Sequence, residues 1–76
     1  MNFDKELDAR GLSCPMPILR AKLTLDKMAS GEVLKIVASD PGSVQDIQAF
    51  SSETGNALLS STTDSNKVYV FFLKKK

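Results

Sequence analysis

Between residues 3 and 9 apolar and polar side chains alternate, with Phe3, Leu7 and Ala9 on one side and Asp4, Glu6 and Asp8 on the other. Lys5 interrupts the apolar side, so the pattern predicts an edge strand with one face in water. Gly11 and Ser13 then mark a turn, and the periodicity changes. From about Pro15 to Ala29, the residues Ile18, Ala21, Leu25, Met28 and Ala29 recur at the 3.6-residue period, which predicts a helix with that stripe in the core. Ser30 and Gly31 end it, Gly31 suiting the left-handed position just past a helix. Leu19 and Leu23 fall away from the stripe, beyond Lys22 and Asp26. They form either the margin of a wide core or a partly exposed docking ridge.

Val33 to Ala38 is a nearly continuous apolar run, as a central strand requires. A second helix start follows in Asp40-Pro41-Gly42-Ser43, with Asp40 as N-cap and Pro41 in the first helical position, or with Ser43 as the cap. Val44, Ile47 and Phe50 give this helix an inner face, and Gly55-Asn56 ends it. Ala57 to Thr62 and Lys67 to Leu73 read as two strands of a hairpin around the polar loop 63–66. The order is βαβαββ. Two helices with one apolar stripe each need a common surface, so the expected fold is an α+β two-layer sandwich. In it a four-stranded mixed sheet is covered on one face by both helices.

Length and composition narrow the chemistry. Seventy-six residues make a single domain spanning 1–76. One cysteine forbids an internal disulfide, and the absence of histidine leaves no tetrahedral nitrogen and sulfur set for structural zinc. A net charge of +1, with both signs mixed, is a poor electrostatic footprint for direct nucleic-acid binding. Tyr69, Phe71 and Phe72 accordingly read as strand residues and not as a stacking platform. Lys74, Lys75 and Lys76 read as a solvated tail, with a weak contact to an acidic partner as the alternative. No apolar stretch approaches the roughly 18 residues of a membrane span. The N-terminus lacks the order of a secretory signal, and a lone thiol suits a reducing cytoplasm.

The lone cysteine sits in Gly11-Leu12-Ser13-Cys14-Pro15-Met16-Pro17, outside the periodicity of the strand before it and the helix after it. Free cysteines are usually small core hydrophobes, but a turn and two prolines are not core neighbours. A thiolate at a helix N-terminus meets unpaired N–H groups and the positive end of the dipole, which lower thiol pKa values to roughly 3.5–7.5. Arg10 and Arg20 are placed to add to this. Pro15 and Pro17 both fall in the first turn, where a missing N–H breaks no helical bond. They also withhold donors from the sulfur, leaving Met16 N–H as the nearest one and a moderate activation as the expectation. Their gain is rigidity: Gly11, Pro15 and Pro17 are a scaffold that presents Cys14.

The missing residues exclude most thiol chemistries. A dithiol oxidoreductase needs a second cysteine, and position 17 is proline; a cysteine hydrolase needs a base such as histidine. A thiol-dependent transferase or peroxidase would lack both a base and a resolving cysteine. Exchange of a sulfur substituent with another protein needs only one accessible thiolate. The competing reading is a non-catalytic regulatory or interaction module that uses the surface around Cys14.

The sequence resembles the TusA family of small sulfur-carrier proteins, with the TusA/SirA-like fold. The resemblance covers essentially the whole chain. It is carried by Leu7-Asp8, Gly11-Leu12, Cys14-Pro15-Met16-Pro17, Gly31-Glu32, and Asp40-Pro41 followed by Asp46-Ile47. It implies that Cys14 accepts a persulfide sulfur from a sulfurtransferase, either a cysteine desulfurase or a rhodanese type. The sulfur then passes to an acceptor protein in sulfur oxidation or tRNA thiolation. The protein would be a carrier and not an enzyme, with no cofactor beyond the transient persulfide. It would work as a monomer in the cytoplasm, without membrane contact. Some members have another cysteine after the phenylalanine of the second helix; here that position is Ser51, so a one-cysteine carrier is implied. The stretch Gly55 to Ser61 and the lysine tail are similar to members from bacteria that oxidise reduced sulfur compounds. Because two sulfurs must approach closely, Arg10, Leu12, Met16, Leu19 and Arg20 are the expected partner contacts.

Overall fold

The computed structural model describes residues 2–13 and 15–76; Met1 and Cys14 lie outside the described residues. The elements are β1 (Lys5–Ala9), α1 (Met16–Asp26), β2 (Val33–Ala38), α2 (Ser43–Thr54), β3 (Ala57–Thr63) and β4 (Tyr69–Lys74). They form one four-stranded sheet in the order β1-β2-β4-β3. β1 pairs in parallel with β2, and the other two pairings are antiparallel. The expected mixed sheet with a central β2 is therefore what forms.

Alternation along β2 decides where the core lies. Leu34, Ile36 and Ala38 are fully buried, whereas Val33, Lys35 and Val37 between them are only half-buried. The neighbouring register puts Leu34 beside Leu73 and Ile36 beside Phe71, so β2 and β4 present one apolar face. Both helices close over it: Ala21, Leu25 and Met28 on one side and Ile47 and Phe50 on the other join the same cluster. Burial of this face supplies the main stabilisation of so small a chain, at about 25 cal/mol per Å² of apolar surface.

Four local expectations are corrected. Phe3 does not share a face with Leu7 and Ala9. Asp4 exchanges bonds with Val33, its N–H donating to the carbonyl at 2.8 Å and its carboxylate accepting the N–H at 2.8 Å. The strand alternation starts only after this pairing. Phe3 lies instead against Phe72 on the helix-free face, ring centroids 6.2 Å apart, with the Lys35 ammonium 5.2 Å from its centroid. The first helix also stops at Asp26, three residues early. Lys27 and Met28 N–H groups donate to carbonyls only three residues back, and Ala29 N–H donates to the Glu32 carboxylate at 2.7 Å. Gly31 is left-handed, at φ +89°, but in the turn into β2 and not as a helix cap.

The start of α2 is the third correction. Neither Asp40 nor Ser43 caps it; Gly42 occupies the N-cap. The Asp40 carboxylate accepts Gly42 N–H at 3.2 Å, and the buried Ser43 hydroxyl donates to the Asp40 carbonyl at 2.6 Å, so the turn closes on itself. The fourth concerns the lysines. The backbone of Lys75 pairs with Gly31 and Glu32, and Lys76 N–H donates to the Asn56 side chain at 2.8 Å. The run is tied to the sheet and is no loose tail. The stop of α2, by contrast, is as expected: Gly55 is left-handed at φ +81° and donates to the Ser51 carbonyl at 3.0 Å.

Asn56 is the hub of that end. Its amide group donates to the Thr54 hydroxyl at 3.0 Å, its oxygen receives Lys76, and its carbonyl receives the Ser51 hydroxyl at 2.6 Å. Asn56→Ala should cost about 1–3 kcal/mol, the loss of buried hydrogen bonds that leaves partners unpaired. Denaturant unfolding measures that cost. Amide exchange at Lys76 should accelerate in the same variant, while exchange in β1 follows global stability alone.

Candidate functional site

The chain leaves β1 through a sequence of fixed contacts. Arg10 folds back on Asp8: its N–H, Nε and Nη2 donate to the Asp8 carboxylate at 3.1, 2.9 and 3.0 Å. Gly11 follows at φ +83°, a conformation that disfavours any residue with a Cβ. Its N–H donates to the Ser39 hydroxyl at 2.9 Å. Because β1 and β2 run in parallel, Ser39 just past β2 stands beside the turn just past β1. Leu12 N–H donates to the Ala9 carbonyl at 3.2 Å, and the Leu12 side chain packs half-buried against the core. Cys14 itself lies outside the described residues; what is described is the frame on both sides of it, where Ser13 and Pro15 are exposed.

α1 then begins. Pro15 occupies its N-cap with φ −98°, and Pro17 sits in the first turn, where neither costs a helical hydrogen bond. Pro17 is fully buried, which sequence periodicity missed. The buried stripe runs Pro17, Ala21, Leu25 and on to Met28; Ile18 is half-buried and Ala29 exposed. Met16 N–H, expected to serve the sulfur, instead donates to the Ser13 carbonyl at 2.9 Å and closes the turn. The helix thus begins with two residues that have no N–H and one whose N–H is engaged.

The expected contact residues separate into groups. Met16 and Leu19 are exposed, 36% and 49%, and Leu23 joins them at 54%. Spaced at i, i+3 and i+7, they make one ridge along α1, with the exposed Arg20 beside it. Leu19 and Leu23 are therefore exposed and do not form the margin of the core. Arg20 makes no ion pair with the described residues. Arg10 behaves differently: its guanidinium is committed to Asp8, so it brings a neutral ion pair and not a free cation to this end of the sheet.

One feature escaped the sequence reading. Pro15 and Ile18 face Asp46, Ala49, Phe50 and Glu53 of α2 across an open groove of about 200 Å³. The spacing 46, 49/50 and 53 is a helical stripe and was readable as such. That it faces the start of α1 depends on how the two helices pack.

The Arg10 hydrogen bonds hold the Asp8 carboxyl down at about 2, against an ordinary 3.8. Arg10 is raised in turn by the same partner. Since the folded value lies below the unfolded one, this pair's contribution to folding is present above pH 3.8 and lost as pH falls through about 2. In Arg10→Gln the Asp8 titration, followed by carboxyl-carbon NMR, should return toward 3.8. Both side chains are more than half exposed, so stability at neutral pH should change little.

Comparison with known proteins agrees with this architecture. The family model described as Sulfurtransferase TusA matches residues 5–75. The sulfur carrier protein TusA of Allochromatium vinosum is 55% identical over 74 residues, covering 97% of this chain and 96% of that one. A putative sulfur carrier protein of Bacillus subtilis is 41% identical over 75 residues, covering 99% of each chain. The crystal structure of a SirA-like protein from Desulfitobacterium hafniense superimposes with a TM-score of 0.84 at 25% identity, covering 93% of this chain and 96% of that one. With a match over nearly its full length and this βαβαββ sheet, the chain belongs to the TusA/SirA-like family.

Proposed function

We propose that this protein is a sulfur carrier that holds a persulfide on Cys14 between a donor and an acceptor protein. The observation that carries this reading is the single cysteine of the chain, in the Cys14-Pro15-Met16-Pro17 element of its family, flanked by exposed Ser13 and Pro15. The donor is a sulfurtransferase of rhodanese or cysteine desulfurase type, and the acceptor serves sulfur oxidation or tRNA thiolation.

The chemistry needs no base beyond solvent. The Cys14 thiolate attacks the outer sulfur of the donor's cysteine persulfide. A new S–S bond forms at Cys14, the donor's S–S bond breaks, and the donor cysteine leaves as a thiolate. The acceptor thiolate then attacks the outer sulfur of the Cys14 persulfide, and Cys14 leaves as a thiolate. One sulfur moves at each step, and no electron is gained from or lost to a third party. The protein is consumed and regenerated as a substrate of its partners. Gly11 and the two prolines fix the chain around the cysteine; Met16, Leu19, Leu23 and Arg20 form the surface on which a partner docks. Leu12 packs inward and Arg10 is paired with Asp8, so their part is to hold the loop.

Intact mass spectrometry tests the proposal. After incubation with a sulfurtransferase and its sulfur source, the wild type should gain one reducible sulfur atom and Cys14→Ser none. No gain in a protein whose Cys14 alkylates readily would overturn it and favour an interaction module. Leu19→Asp and Arg20→Glu change exposed residues and should alter stability by no more than about 0.5 kcal/mol. Each should slow transfer about tenfold, the scale of a lost interface contact. Unchanged transfer rates in both would remove the ridge from the docking surface.

A further inference from the structure

The parallel ladder of β1 and β2 stops at the register pair Ala9 and Ala38, and the chain leaves both strands there. One exit leads through Gly11 to Cys14, the other through Ser39 to α2. A single described hydrogen bond joins the two exits: Gly11 N–H donates to the Ser39 hydroxyl oxygen at 2.9 Å, across 28 positions of sequence. The other bonds described for the Cys14 loop are local. Arg10 reaches Asp8, Leu12 N–H reaches the Ala9 carbonyl, and Met16 N–H reaches the Ser13 carbonyl. They fold the loop on itself without tying it to a distant part of the chain. Apart from the Leu12 side chain, which packs against the core, Ser39 is the loop's tie to the body of the domain among the described residues.

Exposure limits what this tie can be for. Ser39 and Gly11 are both exposed, so water satisfies the Gly11 N–H when the hydroxyl is absent, and the bond adds little to global stability. Its effect falls on the direction in which the loop leaves β1. Gly11 is left-handed at φ +83°, and no packing neighbour stands within 4 Å of the place a Cβ would take. The orientation of this residue, three before Cys14, is therefore set by a hydrogen bond and not by packing. We propose that Ser39 is a positioning residue for sulfur transfer: its hydroxyl holds Gly11 so that the loop presents Cys14 to a partner in one pose. The role rests on the carrier reading and adds to it a residue from a different loop. Ser39 acts through Gly11 and takes no proton in the transfer. The net contribution of a neutral hydrogen bond corresponds to about a fivefold change in the population of the conformer it holds.

The test uses the full-length protein with Ser39→Thr, Ser39→Val and Ser39→Ala. Threonine and valine share one branched shape and only threonine keeps the hydroxyl, so the difference between them isolates the bond. Amide NMR reads it directly: the Gly11 N–H should shift upfield and exchange faster in the Val and Ala variants and stay in place in the Thr variant. Sulfur transfer from a persulfide-charged sulfurtransferase is then followed against carrier concentration. Ser39→Val and Ser39→Ala should lower the maximal rate about fivefold and leave KM unchanged, because the exposed surface of α1 is untouched. Ser39→Thr should transfer like the wild type. Alkylation of Cys14 by iodoacetamide should keep its rate and pH profile in all three, since a small reagent needs no single pose. Wild-type transfer in Ser39→Val, a Thr variant as slow as the Val variant, or a loss carried by KM alone would each overturn the proposal. So would an alkylation pH profile that shifts along with the loss, which would assign the effect to thiol acidity. Sulfur uptake by the wild type with an equal rate in Ser39→Val removes this role alone; no uptake by the wild type removes the carrier reading and this role with it.

Discussion

The parallel pairing of β1 with β2 is the constraint from which the rest follows. Two adjacent parallel strands cannot be joined by a hairpin, so the chain must leave the C-terminal end of β1 and return over the sheet to begin β2. α1 is that return path, and its buried stripe decides how it lies. Its first turns come back over the end of the sheet where Ala9 and Ala38 are register partners, both fully buried. Small side chains at that end let a helix beginning with proline approach the strands. The turn that holds Cys14 is therefore placed by the topology, between a strand that must end and a helix that must start.

The described residues on both sides of Cys14 are held by hydrogen bonds. Gly11 hangs from Ser39, Leu12 from the Ala9 carbonyl, and Met16 from Ser13. The Arg10–Asp8 fork stiffens the last residues of β1. The Gly11–Ser39 bond ties the loop after one strand to the loop after its parallel neighbour, the others are local, and none owes anything to the core-forming hydrophobic pattern. The far end of the sheet is closed by other means: Lys75 pairs across to Gly31 and Glu32, and Lys76 is held by Asn56. Both ends of the sheet are thus pinned by hydrogen bonds outside the core.

The element order, the central position of β2, the hairpin and the Gly55 stop were all legible, because each depends on signals a few residues long. What failed depends on particular hydrogen bonds that the hydrophobic pattern does not encode, some local and some distant. Alternation extended back to Phe3 because nothing in residues 3 to 9 reveals that Asp4 will bond Val33, 29 positions away. The helix was carried on to Ala29 because the Glu32 carboxylate, which captures Ala29 N–H, lies beyond the apparent stop. Pro17 looked like scaffold alone because proline is seldom expected in a core stripe. At position N2 it needs no N–H, and its ring fills the space one turn before Ala21. At the site, the chemical candidate was readable from residue types, whereas the use of Met16 N–H and of the Arg10 charge was not. Asp8 and Arg10 are only two apart, and their pairing was within reach of the sequence.

These engaged donors bear on the proposed relay. A thiol that only attacks gains from being ionised, and a thiol that only leaves gains from low basicity; nucleophilicity falls as the pKa falls. A carrier does both in one cycle with the same sulfur, so extreme acidity would speed delivery and slow loading. The frame is consistent with that balance: Pro15 and Pro17 offer no N–H, Met16 gives its own to Ser13, and Arg10 is held by Asp8. Direction must then come from the partners and not from the carrier. In the proposed relay, rate rests on how each partner is seated beside Cys14.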